Sequence, residues 1–278
     1  MTAIAVRPTA MPAPADAGRF LLVLLHLAGV YLAVPLRAPG GFEFPVATML
    51  VTTPLLLAIN LPRIRERHLY PLMGLVGVAL LTVVLAPDAG QYLSARLKGA
   101  VLWTWSIVSA YALVLEVSRW GRADVARLMG LFVAALLLGC LLENYAGLRS
   151  VSNVFRRLVF VSARFEWVSR DIEIVGVLRP RLFTAEPSDV AKFYALAAFG
   201  WIALSASRYR HAVGLLLTMA GMWLIRSPIV LLIAPLQVLL LVLGRPLAAA
   251  VAPLSRPIKV SGFAVALALG GALAAWLL

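Results

Sequence analysis

Apolar residues come in long uninterrupted runs, and charged residues fall almost wholly in the short stretches between them. The runs cover 20–36, 44–61, 70–86, 99–117, 125–146, 190–207, 212–225, 229–244 and 260–278. Most approach the ~20 residues that a helix needs to cross ~30 Å of hydrocarbon. The pattern predicts an all-α polytopic membrane protein of about nine transmembrane helices. Between the seventh and eighth runs stand only Arg226, Ser227 and Pro228. A continuous helix there would put an arginine mid-bilayer and a proline in a helix interior. Two helices joined by a tight turn fit better, with Ser227 as cap and Pro228 at the first helical position.

Lysine and arginine positions orient the chain. With the N-terminus cytoplasmic, the inner segments carry thirteen basic residues, from Arg7 to Lys259, outside any long loop. The short outer loops carry four, namely Arg37, Arg96, Lys98 and Arg226. This is a positive-inside bias, and a miscounted helix would have scrambled it. Residues 1–19, rich in Ala and Pro, read as a disordered cytoplasmic tail, 20–146 as five spans and 190–278 as four more. The run at 20–36 lacks a small-x-small cleavage site and reads as a span, not a signal peptide.

Composition agrees. Of 278 residues, 62% are hydrophobic and 13% charged, and the mean hydropathy is +0.95, more apolar than a water-exposed surface allows. The net charge of +13 is spread over alternating loops, which excludes a nucleic-acid partner. The single cysteine, Cys140, lies within an apolar run and reads as a packing residue. His26, His68 and His211 have no metal-ligand spacing.

Residues 147–189 form one large periplasmic loop, far longer than a connection needs. It holds Arg149, Arg156, Arg157, Arg164, Arg170, Arg179 and Arg181, which points to an anionic partner. Its first half predicts an amphipathic helix with Val151, Val154, Phe155, Leu158, Ser162 and Phe165 on one face. Asn153, Arg156, Arg157 and Arg164 fall on the opposite face. Such a helix either lies on the outer leaflet with its arginines toward lipid phosphates, or walls a substrate site. Asp171 and Glu173 are spaced to hold a divalent ion, but the surrounding arginines favour a local ion pair.

The loop's second half places Arg179, Arg181 and Glu186 before Pro187 and Ser188, a helix start whose free N–H groups attract anions. Glu143 ends the fifth span, and Arg226 stands at the next outer turn. Ion pairing of the arginines with Asp171, Glu173 or lipid, and helix capping by Glu186, are the plainer readings.

The segment Arg179…Phe183-Thr184-Ala185-Glu186-Pro187-Ser188…Ala191 resembles the arginine, phenylalanine and Glu-Pro-Ser pattern of bacterial O-antigen and exopolysaccharide polymerases, a superfamily that includes the O-antigen ligases. The order is similar too: an acid ending a span, a large loop, the Glu-Pro-Ser segment, two spans, then an arginine. Leu182 stands where the pattern usually has glycine, and Ile225 where a serine usually precedes the arginine. The pattern also continues with further spans, so a longer protein is expected.

The resemblance implies a GT-C-like membrane glycosyltransferase of the inner membrane, working at its periplasmic face without a cofactor or metal. The implied donor is an undecaprenyl-pyrophosphate-linked glycan, and the acceptor a growing glycan or a lipid core. Arginines at Arg179, Arg181 and Arg226, with Glu143 beside them, would bind substrate, and Glu186 would be the catalytic base. The alternative is a transporter or flippase of lipid-linked glycans, which would place charges and broken helices at mid-bilayer in repeated halves.

The topology has a direct check. In a Cys140→Ala background, Ser169→Cys should react with an impermeant thiol reagent in intact spheroplasts. Labelling that appears only after lysis would reverse the orientation.

Overall fold

A computed structural model describes residues 16–38, 42–44, 46–85, 89–160, 176, 178–239 and 242–243. The described residues are overwhelmingly helical, apart from one short antiparallel hairpin of β1 (Leu36–Ala38) and β2 (Phe42–Phe44). The helices are α1 (Ala17–Leu32), α2 (Met49–Ile59), α3 (Glu66–Val84), α4 (Ala89–Val117), α5 (Arg122–Tyr145), α6 (Leu148–Val159), α7 (Pro187–Leu204), α8 (Arg210–Ile225) and α9 (Pro228–Leu239). Eight of the nine apolar runs thus become helices, and the ninth, 260–278, lies outside the described residues.

Boundaries follow local chemistry. Helix α1 stops at Leu32, not at residue 36, because Ala33 turns left-handed (φ 46°) and Pro35 follows. The chain then forms the hairpin in place of a further helical turn. Asn60 and Pro62 close α2, which also carries Pro54 in its interior. Helix α4 begins ten residues earlier than the apolar run, so Arg96 and Lys98 sit within it and not in a loop; a break at Tyr92 separates its first turn. Pro187 opens α7 at its first position. Ser227 and Pro228 open α9 as expected, although its first five residues wind as a 3₁₀ turn.

Two helical segments, Gln91–Val117 and Arg122–Tyr145, are long and apolar enough to cross a membrane. Large apolar side chains also stand outward on every side of the bundle, among them Leu25, Val51, Trp103, Leu138, Leu196 and Trp223, each more than half exposed. That surface suits hydrocarbon better than water.

The core has two parts. Val23, Leu56, Ala112, Trp120 and Leu128 knit α1, α2 and α4 to the start of α5. Val133, Leu136, Cys140, Tyr194, Ala198, Ile225 and Ile233 knit α5, α7, α8 and α9. Close approach in the second part uses glycine. A Cβ on Gly221 would lie 2.4 Å from the Tyr194 ring, whose hydroxyl donates to Leu217 O at 2.6 Å.

Helix polarity alternates. Carbonyls at the end of α7 receive Arg122 at the start of α5, while Asn144 at the end of α5 donates to Leu224 O near the end of α8. The end of α5, α6, the start of α7 and the end of α8 therefore share one end of the bundle.

Gly221→Ala should lower stability by about 1–3 kcal/mol through overpacking. Gly74→Ala, where nothing lies within 4 Å of the new methyl, should be neutral or slightly stabilising. Thermal melts in detergent compare the two, and equal effects would contradict this packing.

Candidate functional site

The shared end is organised around a turn in the backbone. Residues Arg181–Thr184 close on a Thr184 N–H to Arg181 O bond of 2.8 Å. Leu182 (φ 40°) and Phe183 (φ 67°) are both left-handed, a conformation that L side chains adopt at a cost of roughly 1–2 kcal/mol each. Every donor of the turn has a buried partner. Glu143 Oε1 accepts Arg181 N–H at 3.0 Å, and Oε2 accepts Leu182 N–H at 2.7 Å. Phe183 N–H donates to Ser152 Oγ at 3.0 Å. Tyr31 OH, from the end of α1, donates to Leu182 O at 3.1 Å.

The position where the resembled pattern carries glycine is thus a left-handed residue. Leucine is tolerated because its side chain is buried against Gly139, where a Cβ would come within 2.9 Å of Leu182 Cδ2. Packing offsets strain here.

Helix α6 follows from Gly147, whose φ of 76° lets the chain fold back directly after α5. The helix has three faces, not two. Val151, Val154 and Leu158 are all more than half exposed, and Ser150, Asn153 and Arg157 form an exposed polar stripe. Between them a third stripe, with Ser152, Phe155 and Arg156, docks on the protein. Phe155 meets Phe183 edge to face with ring centroids 5.4 Å apart. This corrects the two-face expectation: Arg156 is turned inward and 7% exposed. Ser162, Arg164 and Phe165, expected on the same helix, lie outside the described residues, as do Asp171 and Glu173.

Burial, then the neighbouring Arg181, pushes the Arg156 guanidinium down to about 10, with Arg149 acting in the same direction and Glu143 opposing. It stays charged near neutral pH. Its Nη1 donates to Asn153 Oδ1 at 3.1 Å, but its buried Nε has no hydrogen-bond partner among the described residues. A buried cation crowded by two others is costly unless something anionic joins it.

Of the residues singled out from sequence, Glu143 and Arg181 are buried in direct contact. Glu143 proves to be the anchor of the turn, both oxygens being given to backbone donors. Arg179 is half-buried just before it. Glu186 stands at the N-cap of α7 with its carboxylate exposed, accepting only Ser188 Oγ at 3.1 Å. It is tied to the turn through Thr184 Oγ1, which sits 2.6 Å from Arg181 O and 2.9 Å from Glu186 O and shares one proton between them. Arg226 is the left-handed C-cap of α8 (φ 57°), two residues beyond the carbonyl held by Asn144. Asn144 Oδ1 also receives Arg149 Nη2 at 3.4 Å. Arg149, Ser152 and Arg156 were not singled out individually from sequence. A small hydroxyl four residues before an arginine on an amphipathic helix was the available signal.

Among the described residues no group of three or more His, Cys, Asp or Glu side chains gathers to hold a metal. No protein-family model, curated protein or solved structure matches the chain.

Two substitutions test the turn. Glu143→Gln puts an amide N–H₂ against a backbone N–H and should cost about 1–3 kcal/mol of stability. Leu182→Gly removes the strain but empties a packed site, and should still destabilise, because ~2–5 kcal/mol of cavity cost exceeds ~1–2 of relief. A Leu182→Gly protein more stable than the parent would show that strain, not packing, dominates.

Proposed function

We propose that the chain is a multi-pass protein of the bacterial inner membrane, N-terminus cytoplasmic, that transfers glycans from undecaprenyl-pyrophosphate carriers at the periplasmic face, as a repeat-unit polymerase or an O-antigen ligase. The observation that carries this reading is the convergence of Arg149, Arg156 and Arg181 on a rigid turn that leads straight to the exposed carboxylate of Glu186. The resemblance of the Arg179–Ser188 segment to the polymerase and ligase pattern supports it independently.

In this mechanism the donor diphosphate binds among Arg156, Arg179, Arg181 and Arg226. Its charge fills the place left beside Arg156 Nε. Glu186 accepts the proton of the acceptor hydroxyl as that oxygen bonds to the anomeric carbon. The bond from that carbon to the diphosphate oxygen breaks, and its electron pair leaves with the diphosphate, where guanidinium donors stabilise the added charge. Glu143 holds the turn and does not touch substrate. Helix α6 would lie at the outer surface, with Val151, Val154 and Leu158 in lipid, Asn153 and Arg157 in water, and Arg156 toward the donor.

The rival reading is a transporter of lipid-linked glycans. It draws on a polar chain inside the bundle: His26 Nδ1 with Thr52 Oγ1 at 2.7 Å, His26 Nε2 with Ser109 Oγ at 3.2 Å, and Thr53 donating to Ser109 at 3.0 Å. Both ring nitrogens are engaged there, which suits helix-to-helix bonding as well as passage.

Transfer from a lipid-pyrophosphate donor, with donor binding measured on the same proteins, separates the two. Glu186→Gln should lower turnover by ~10²–10⁴-fold while donor affinity holds. Arg156→Lys, Arg179→Lys and Arg226→Lys should weaken donor binding, because lysine loses the planar fork. Full transfer by Glu186→Gln would remove it from the mechanism, and unchanged donor affinity in all three lysine variants would remove the clamp.

A further inference from the structure

The end of the bundle opposite the arginine cluster holds a second cationic site. The last carbonyls of α7 have no intrahelical donor. Arg122, opening α5, supplies two: Nε donates to Leu204 O at 2.7 Å and Nη2 to Ala203 O at 2.6 Å. Arg210 Nη1 reaches Ser205 O at 3.4 Å. The helices are pinned together here by arginine side chains. A cavity of about 450 Å³ remains, lined by Arg122, Arg127, Trp201, Leu204, Ser205 and the alanines at 123, 126 and 206.

Its chemistry is divided. The Trp201 ring lies against the backbone at Gly130, where a Cβ would come within 3.1 Å of it, and with Leu204 and the alanines it makes an apolar wall. Arg122 and Arg127 make the rest cationic. Arg127 is exposed and has no hydrogen bond or ion pair among the described residues. The acid of this first turn, Asp124, is half-buried and outside the lining.

From this geometry we infer that the cavity binds the headgroup of an anionic phospholipid. Arg127 and the free Nη1 of Arg122 hold the phosphodiester, and Trp201, Leu204 and the alanines face the glycerol and the upper acyl chain. The volume falls within the range of ordinary ligand sites. A zwitterionic headgroup would bring its ammonium toward Arg122, Arg127 and Arg210, whereas an anionic one brings no cation. Basic pockets between helices near a membrane surface select anionic lipids for this reason. The inference rests on the membrane reading, but not on any catalytic role.

The test is the thermal midpoint of the protein in nanodiscs of phosphatidylcholine, with and without phosphatidylglycerol. Phosphatidylglycerol should raise the midpoint saturably. In Arg127→Gln its apparent affinity should fall roughly fivefold, the loss of one basic contact at a lipid surface, with the midpoint in pure phosphatidylcholine unchanged. Arg157→Gln, an exposed arginine on α6 at the other end, should keep the full response.

The site would be overturned by no phosphatidylglycerol effect in the parent protein, by an undiminished effect in Arg127→Gln, or by an equal loss in Arg157→Gln. Inorganic phosphate reproducing the shift in phosphatidylcholine discs would overturn the lipid as ligand. A chain that does not enter discs fails the membrane reading itself, whereas one that enters without lipid preference fails only this site.

Discussion

The bidentate grip of Glu143 on the N–H groups of Arg181 and Leu182 is the interaction on which one end of the bundle depends. A carboxylate at the end of an apolar helix must find donors or lose its charge. Two successive left-handed residues in a buried turn must likewise find acceptors for their amides. Each problem solves the other. Once the turn is held, Phe183 can face Phe155, Ser152 can accept the third amide, and α6 is drawn onto the end of α5. Thr184 passes the same register to Glu186, so the start of α7 is set by a residue forty positions earlier in the chain.

The arrangement also creates a conflict. The segments that Glu143 gathers carry Arg149 and Arg181 close to Arg156, and both oppose its charge. Rotating α6 by one stripe would put Arg156 in water and bury Val151 and Val154, at the cost of the Ser152 and Phe155 contacts with the turn. The helix instead leaves those valines exposed. An apolar medium on one side and an anion on the other would remove both costs at once, so the orientation of α6 and the charge of the site argue for the same environment.

Much of the helical layout was legible in the sequence because apolar runs and prolines report directly on helix existence and helix ends. Pro187 and Pro228 fall where residue chemistry places them. The face of α6 was not legible, because an apolar stripe reports where water is absent and not whether protein or lipid replaces it. The role of Glu143 was hidden for a different reason. An acid at a helix end reads equally as a ligand or an anchor until the backbone amides opposite it are known. Leu182 in a glycine position was the one sequence clue that a strained turn needed outside support.

The two ends of the bundle differ in how fully their buried charges are matched. At the end opposite the Glu143 turn Glu116 is fully buried, yet it takes Arg19 at 3.3 Å and Asn60 at 2.8 Å on one oxygen and Trp120 Nε1 at 3.1 Å on the other. Arg63 closes on the Leu115 carbonyl, and Arg122 on those of Ala203 and Leu204. Those cations are matched to acceptors already in the protein, and they hold helices together. At the end around the Glu143 turn the match is incomplete: among the described residues Arg156 Nε has no acceptor, and Glu186 is exposed. A structural network gains from saturation, because each unsatisfied buried donor costs about 1–3 kcal/mol. A binding site needs the reverse, with donors already in place and their acceptor still to arrive. By that criterion the buried charge at Glu116 serves to hold helices together, and the end around Arg156 is the one proposed to receive an anion.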